Sequence, residues 1–437
     1  MSETGTTASP QHDPRTSPQP AAPGSKTAAP AGMTEAFTAS SLGDTSIRPF
    51  RVNIADDEIA ELKRRIRATR WPDRETVPNE SQGVRLAMIQ ELARYWADEY
   101  DWRKIEAKLN ACPNFLTEID GLDFHFIHAR SKHENAAPLL IAHGWPGSVI
   151  EQMKLIGPLT DPTAHGGSTA DAFHVVIPSM PGYGFSEKPA TTGWNPERIA
   201  RAYAVLMDRL GYRKYLAQGG DWGSIVVNFM GVQEPEGLVG IHTNMPEVIP
   251  PDVDAAIWSG GPLPEGLSDE ERMACEQVRE NKFAYAFMMG TRPQTLTGLA
   301  DSPVGLAAFM IDHDWKSHAM IARSFTGVAE GLVPDDVLNN ISLFWFTNTA
   351  ISAARLYWEN GMAGVSFFAV KGVKLPVACS VFPDEMYVAP QSWAEKAYPN
   401  LIHFNRLPKG GHFAAWEQPV FMTSEIRTAF RPLRQSL

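Results

Sequence analysis

The segment Gln218-Gly219-Gly220-Asp221-Trp222-Gly223-Ser224 carries the sharpest chemical signal in the chain. It follows a strand-like run, Tyr215 to Ala217, and precedes an apolar helical stretch starting near Ile225. Small residues flank the acid in the pattern small-x-nucleophile-x-small, the tight strand-to-helix turn that stands one side chain above a sheet. Here that side chain is a carboxylate. A carboxylate attacks carbon to form an alkyl ester, whereas a serine in its place would form an acyl-enzyme. The substrate should then carry an electrophilic sp3 carbon, with epoxides and alkyl halides as the two obvious classes. The bland alternative is an ordinary turn in which Asp221 caps the helix. Ser224 lies outside the turn position and reads as a helix N-terminal hydroxyl.

An ester intermediate needs an oxyanion hole and a base. His143-Gly144-Trp145-Pro146-Gly147-Ser148 follows the strand-like Leu139 to Ala142, so the backbone N–H of Trp145 can join that of Trp222 around an oxyanion. The His143 ring is expected to be structural. The order nucleophile, carboxylate, histidine directs the search for a base to the end of the chain, where His403 and His412 are the candidates. His403 sits in a strand-like run, while His412 sits in the loosened loop Lys409-Gly410-Gly411-His412-Phe413, which favours His412. Asp384 and Glu385 directly follow the strand-like Val377 to Phe382, and one of them should orient the histidine. Spacing does not separate the two. An epoxide oxygen also needs a neutral hydrogen-bond donor, and between Met245 and Phe368 the tyrosines are Tyr285 and Tyr357.

Other polar groups read more plainly. His125 and His128 fall on opposite faces of a strand, and Asp312-His313-Asp314 reads as a solvated helix end rather than a metal site. No metal is expected. No cofactor is expected either, because the Gly-x-Gly matches lack the context of a dinucleotide or phosphate loop.

The elements that must position these residues follow from periodicity. Ile59, Leu62 and Ile66 recur at helical spacing after Asp56 or Asp57, which can cap that helix. Two further helical stretches follow, one carrying Leu86, Ile89, Leu92, Ala93 and Trp96, the other running from Trp102 to about Leu109. From Gly121, short apolar runs alternate with helical patterns, which predicts a parallel α/β sheet. After Met245-Pro246 the texture turns helical up to about Phe368, as in a lid inserted over the sheet's carboxyl edge, where open α/β sheets bind ligands. The expected organisation is a disordered tail at 1–46, a helical N-terminal domain at 47–120, a core at 121–246 and 371–437, and the lid at 247–370. The tail carries six prolines up to Thr45 and, from the large aliphatic and aromatic residues, only Phe37 and Leu42.

Composition limits the function classes. Across 437 residues, 39 basic side chains face 50 acidic ones, a net charge of −11 without a basic run, which argues against nucleic acid. Cys112, Cys275 and Cys379 are far apart and form no Cys-x-x-Cys, so neither a disulfide framework nor a zinc site is expected. With no apolar run long enough to cross a bilayer and no signal-peptide pattern, the reading is cytoplasmic.

These residues resemble the microsomal and juvenile-hormone type of epoxide hydrolase within the α/β-hydrolase superfamily. The resemblance runs over almost all of 47–437. Its blocks are Phe50-Arg51-Val52 through Arg70-Trp71-Pro72-Asp73, the His143 to Ser148 and Gly219 to Ser224 turns, Asp301-Ser302-Pro303-Val304-Gly305-Leu306-Ala307-Ala308, and Gly410-Gly411-His412-Phe413-Ala414-Ala415. It implies an α/β-hydrolase fold with a helical lid and an N-terminal helical meander. It makes Asp221 the nucleophile, His412 the base, Glu385 the acid that relays charge, and Tyr285 and Tyr357 the pair that activates the epoxide. The polar tail replaces the anchor helix of membrane-bound relatives, which suggests a soluble, bacterial-like member. The implied partners are a small apolar epoxide and water, with homo-oligomerisation left open. A haloalkane dehalogenase using the same Asp, with the Trp222 indole as halide donor, is the nearest rival. A silent binder of hydrophobic ligands is the rival from another class. Phe283, Phe287, Met288, Met289, Phe344 and Trp345 suggest an apolar pocket, although core packing explains the same stripe.

Overall fold

The computed structural model describes residues 44–437 apart from Lys282, so most of the expected N-terminal tail lies outside the described residues. Among the described residues nine strands form one sheet: β1 (Arg48–Phe50), β2 (Asn114–Ile119), β3 (Leu122–Ala129), β4 (Ala137–Ala142), β5 (Phe173–Pro178), β6 (Tyr215–Gly219), β7 (Leu238–Thr243), β8 (Val377–Val381) and β9 (Leu401–Arg406). Their spatial order is β1-β2-β3-β5-β4-β6-β7-β8-β9. From β5 to β9 neighbouring strands are parallel. Every residue of β6 and of β8 is buried, as expected where helices cover both faces of a parallel sheet.

β3 departs from the parallel expectation, and β1 and β2 add two strands to the same edge of the sheet. β1, β2, β3 and β5 pair antiparallel. Asp120 and Gly121 join β2 to β3 with φ of 53° and 79°, a two-residue turn of the kind that an Asp-Gly pair favours in a hairpin. The segment before Gly121 is therefore not wholly helical, since it places a strand at each end of its three helices (Asp56–Arg67, Leu86–Asp98 and Trp102–Ala111). The first of these is not capped by an Asp either. Ala55 occupies that position, and Asp56, Asp57 and Glu58 lie in the first turn, where negative charge meets the helix dipole.

Between β7 and β8 lie the inserted helices, among them Ala284–Thr291, Pro303–Ile311, Trp315–Thr326, Pro334–Thr347 and Ala350–Met362. The N-terminal helices brace this insertion: the Trp96 indole donates to Ser342 Oγ at 3.0 Å and the Tyr100 hydroxyl to Asn339 Oδ1 at 2.9 Å. Both donors are buried large side chains whose polar ends need a partner. Asn340, on the same inserted helix, donates to the Pro146 carbonyl at 2.6 Å and accepts from Ser148 Oγ at 2.7 Å. The insertion is thereby tied to the loop after β4. Among the described residues no helix is long and apolar enough to cross a membrane.

Candidate active site

Asp221 sits between the end of β6 and the helix Trp222–Gln233, with φ 51° and ψ −131°. Such a backbone is strained for a residue with a Cβ and persists only when its surroundings hold it there. The neighbours make it possible. A Cβ at Gly219 would meet the Gly223 carbonyl at 2.1 Å, and one at Gly223 would meet the Ala142 carbonyl at 2.2 Å, so both positions require glycine. Parallel pairing sets Ala142 beside Gly219, and the turns leaving β4 and β6 meet at the same edge. There the Trp145 N–H donates to Asp221 Oδ1 at 2.7 Å.

The carboxylate is 5% exposed and its Oδ2 has no hydrogen-bond partner. Burial pushes its pKa up, opposed by His412, His313 and the backbone amides of Trp145 and Trp222. His412 Nε2 lies 3.5 Å from Asp221 Oδ2, and His412 Nδ1 lies 2.6 Å from Glu385 Oε1. Burial alone would favour neutral His412, but Glu385 and Asp221 outweigh it and push the pKa up to about 10. Asp384 is placed elsewhere: its side chain is 61% exposed, 3.8 Å from Lys316 Nζ. His403 is also elsewhere, on β9, with its Nε2 2.9 Å from Glu425 Oε2. The His143 ring is spent locally, with Nδ1 against the Gly144 carbonyl at 3.0 Å and Nε2 accepting from the Met180 N–H at 3.2 Å.

Both tyrosines come to this point from separate inserted helices. Tyr285 stacks on Trp145 with ring centroids 4.8 Å apart, Tyr357 meets the Trp222 ring edge-on at 4.7 Å, and the two tyrosine rings lie 6.0 Å apart. Each is buried, and burial together with the Asp221 charge raises both phenols well above the usual range, so they stay protonated donors. Asp221, His412, Glu385, Tyr285, Tyr357, Trp145 and Trp222 thus converge on one site. A cavity of about 990 Å³ opens onto it, lined by Trp222, Tyr285, Phe283, Met288, Tyr357 and Phe367 among others. Of the apolar stripe expected to line a pocket, Phe283, Phe287 and Met288 reach it, while Met289 and Phe344 are buried in the core.

Two groups at the site escaped the sequence reading. His313 and Asp314 are not a solvated helix end: they are 3% and 6% exposed, and the His313 ring lies 4.5 Å from the His412 ring, centroid to centroid. The only signal was a histidine between two acids just after the Asp301 to Ala308 block, and nothing local showed that it turns inward. Glu151, on the helix after the Trp145 loop, is 8% exposed, and burial pushes its pKa up to about 8. Among the described residues, Asp221, His313 and His412 bring donor atoms within 4.8 Å of one another, the spacing a metal ion would need.

The chain matches two family models, that of the epoxide hydrolase N terminus over residues 47–152 and that of the alpha/beta hydrolase fold over residues 137–296. It is 50% identical over 394 residues to a Stigmatella aurantiaca protein provisionally named epoxide hydrolase, covering 89% of this chain and 86% of that protein. It is 35% identical to epoxide hydrolase 1 of Oryctolagus cuniculus, over 88% of this chain and 89% of the relative. The crystal structure of juvenile hormone epoxide hydrolase from the silkworm Bombyx mori superposes with a TM-score of 0.77 at 28% identity, covering 90% of this chain and 96% of that one. The chain belongs to the epoxide hydrolases, with the α/β-hydrolase fold and a helical insertion within its sheet.

Proposed function

We propose that this epoxide hydrolase works through an ester on Asp221. Asp221 Oδ2 attacks a carbon of the oxirane from the face opposite its oxygen, and the C–O bond of the ring breaks. Tyr285 and Tyr357 hold the departing oxygen, and one of their hydroxyls protonates it. Asp221 Oδ1, already against the Trp145 N–H, becomes the ester carbonyl oxygen. Esterification removes the Asp221 charge that helps hold a proton on His412, so that proton can leave and restore the tyrosine. Neutral His412, oriented by Glu385, then takes a proton from water as the water oxygen bonds to the ester carbonyl carbon. The N–H groups of Trp145 and Trp222 stabilise the oxyanion, and the vicinal diol departs.

The observation that carries this reading is the asymmetry of the Asp221 carboxylate, with one oxygen held by a backbone amide and the other without a partner beside His412. The tyrosine pair favours epoxides over halides. The cavity's lining is mainly aromatic and apolar, with Asp254, Asn360 and Ser366 as further polar residues, and suits an apolar substrate. The same proposal takes 247–370 as the lid and 47–120 as the N-terminal domain that supports it. A cytoplasmic setting is supported by three cysteines that are all free.

Single-turnover hydrolysis in 18O-labelled water by unlabelled enzyme tests the route. The first-turnover diol should carry no label, because its new oxygen comes from Asp221, with label entering the diol only in later turnovers. Label in the first-turnover diol overturns the ester and leaves Asp221 as a base acting on water.

A further inference from the structure

We propose that His313, oriented by Asp314, holds the hydrolytic water jointly with His412. The inference rests on the Asp221 ester and adds to it a second histidine at the reacting centre.

His313 and Asp314 repeat on a smaller scale the arrangement of His412 and Glu385. His313 Nδ1 is 2.9 Å from Asp314 Oδ2, with the two side chains 1% and 2% exposed. Asp314 is itself locked in place, because its Oδ1 accepts the backbone N–H groups of Lys316 and Ser317 at 3.1 and 2.9 Å, at the start of the helix Trp315–Thr326. Burial would raise this carboxyl, but hydrogen bonds from His313 and Ser317 and the nearby histidines hold it below the usual carboxylate range. In the neutral imidazole a carboxylate at Nδ1 sets the proton on that nitrogen and leaves the Nε2 lone pair free. His313 Nε2 is buried and has no hydrogen-bond partner. The ring packs against those of His412 and Tyr285, with centroids at 4.5 and 4.9 Å.

Water brings two O–H bonds to the ester. One proton passes to His412. The other O–H needs an acceptor too, because leaving it unpaired in a buried, mostly aromatic cleft is costly. His313 Nε2 is an acceptor of the right kind. Two acceptors bridged by one water at about 2.8 Å each lie about 4.5 Å apart for the bond angle of water. A nitrogen of His313, a nitrogen of His412 and an oxygen of Asp221 all fall within 4.8 Å of one another. The water oxygen bonds to the ester carbonyl carbon as one proton moves to His412 Nε2, and the second stays on that oxygen, hydrogen-bonded to His313. Collapse breaks the bond to the diol oxygen, which takes the proton from His412. Asp221 is left as a carboxyl group that then gives up its proton.

The test uses the full chain with styrene oxide, reading ester formation by stopped-flow tryptophan fluorescence and the esterified fraction by intact mass. His313→Phe keeps a flat ring against His412 and Tyr285 and removes both nitrogens. Ester formation should stay within about twofold, ester hydrolysis should slow about 10-fold or more, and the ester should accumulate at steady state. kcat should then fall while kcat/KM is largely kept. His313→Gln, whose amide oxygen can accept from water, should recover part of the loss. Unchanged hydrolysis in His313→Phe, or ester formation slowed by the same factor, overturns the assignment. Should His313→Phe fail to melt cooperatively, Asp314→Asn decides: slow hydrolysis with accumulated ester supports the water site, and wild-type hydrolysis overturns it. A wild-type enzyme that turns over while no variant, His412→Gln included, accumulates an ester points instead to failure of the covalent route itself.

Discussion

Glu385 Oε1 lies 2.6 Å from His412 Nδ1, and one residue before each of them the backbones of Asp384 and Gly411 form a β-bridge. The loops after β8 and β9 are thus stitched together by main chain where the acid must meet the imidazole. A Cβ at Gly411 would come within 2.8 Å of the Asp384 carbonyl, so the close approach depends on glycine there. The register makes the side chain of Glu385 point inward and that of Asp384 outward. Glu385→Gln should cut ester hydrolysis about 100-fold or more, since the amide no longer stabilises the imidazolium. Asp384→Asn, at an exposed side chain, should leave stability within about 0.5 kcal/mol and turnover near wild type. Steady-state rates and melting curves of the two variants check both.

His412→Gln should stop the reaction after the first chemical step. With a good epoxide the enzyme should gain the mass of one substrate molecule, located by peptide mapping to the segment that contains Asp221. Full turnover by this variant would remove His412 from the mechanism.

Tyr285→Phe and Tyr357→Phe each remove one donor to the oxirane oxygen while leaving its partner in place. Each should slow ester formation about 10- to 100-fold with little change in ester hydrolysis, and the double variant should lose ester formation altogether. Stopped-flow fluorescence separates the two steps. The single variants should remain folded, because the Trp145 and Trp222 ring contacts survive loss of the hydroxyl.

Glu151 gives a pH dependence of stability. Burial raises its pKa from 4.5 to about 8, so between those pH values the folded state holds a proton that the unfolded state has released. Stability from this group is full below about pH 4.5 and declines as pH rises towards 8, at about 1.4 kcal/mol per pH step at the steepest. Glu151→Gln lacks that proton linkage. The melting temperature of wild type relative to Glu151→Gln should fall steadily from pH 5 to pH 8, and a constant difference would disprove the buried neutral carboxyl.

The tight turn at Asp221, the helical insertion between β7 and β8, and the parallel core strands were all legible in the chain, because each is a local pattern. The tight turn at Asp221 is written in glycines whose Cβ atoms would collide with backbone, and buried parallel strands are written as continuous apolar runs. The hairpin from β2 to β3 was equally local, carried by Asp120-Gly121, but the surrounding helical texture masked it. What the residue types alone left open was decided in space. Asp384 and Glu385 are adjacent acids with the same local pattern, and only the bridge to Gly411 sets which one faces His412. Tyr285 and Tyr357 belong to helices far apart in sequence, and their meeting over Asp221 depends on how the insertion packs on the sheet. His313 and Asp314 read as solvent-facing polar residues, yet helix packing turns them inward against His412. A sequence states the spacing of side chains along one segment, whereas the direction a polar side chain takes, and the partner it finds there, is set by segments that the chain brings back from elsewhere.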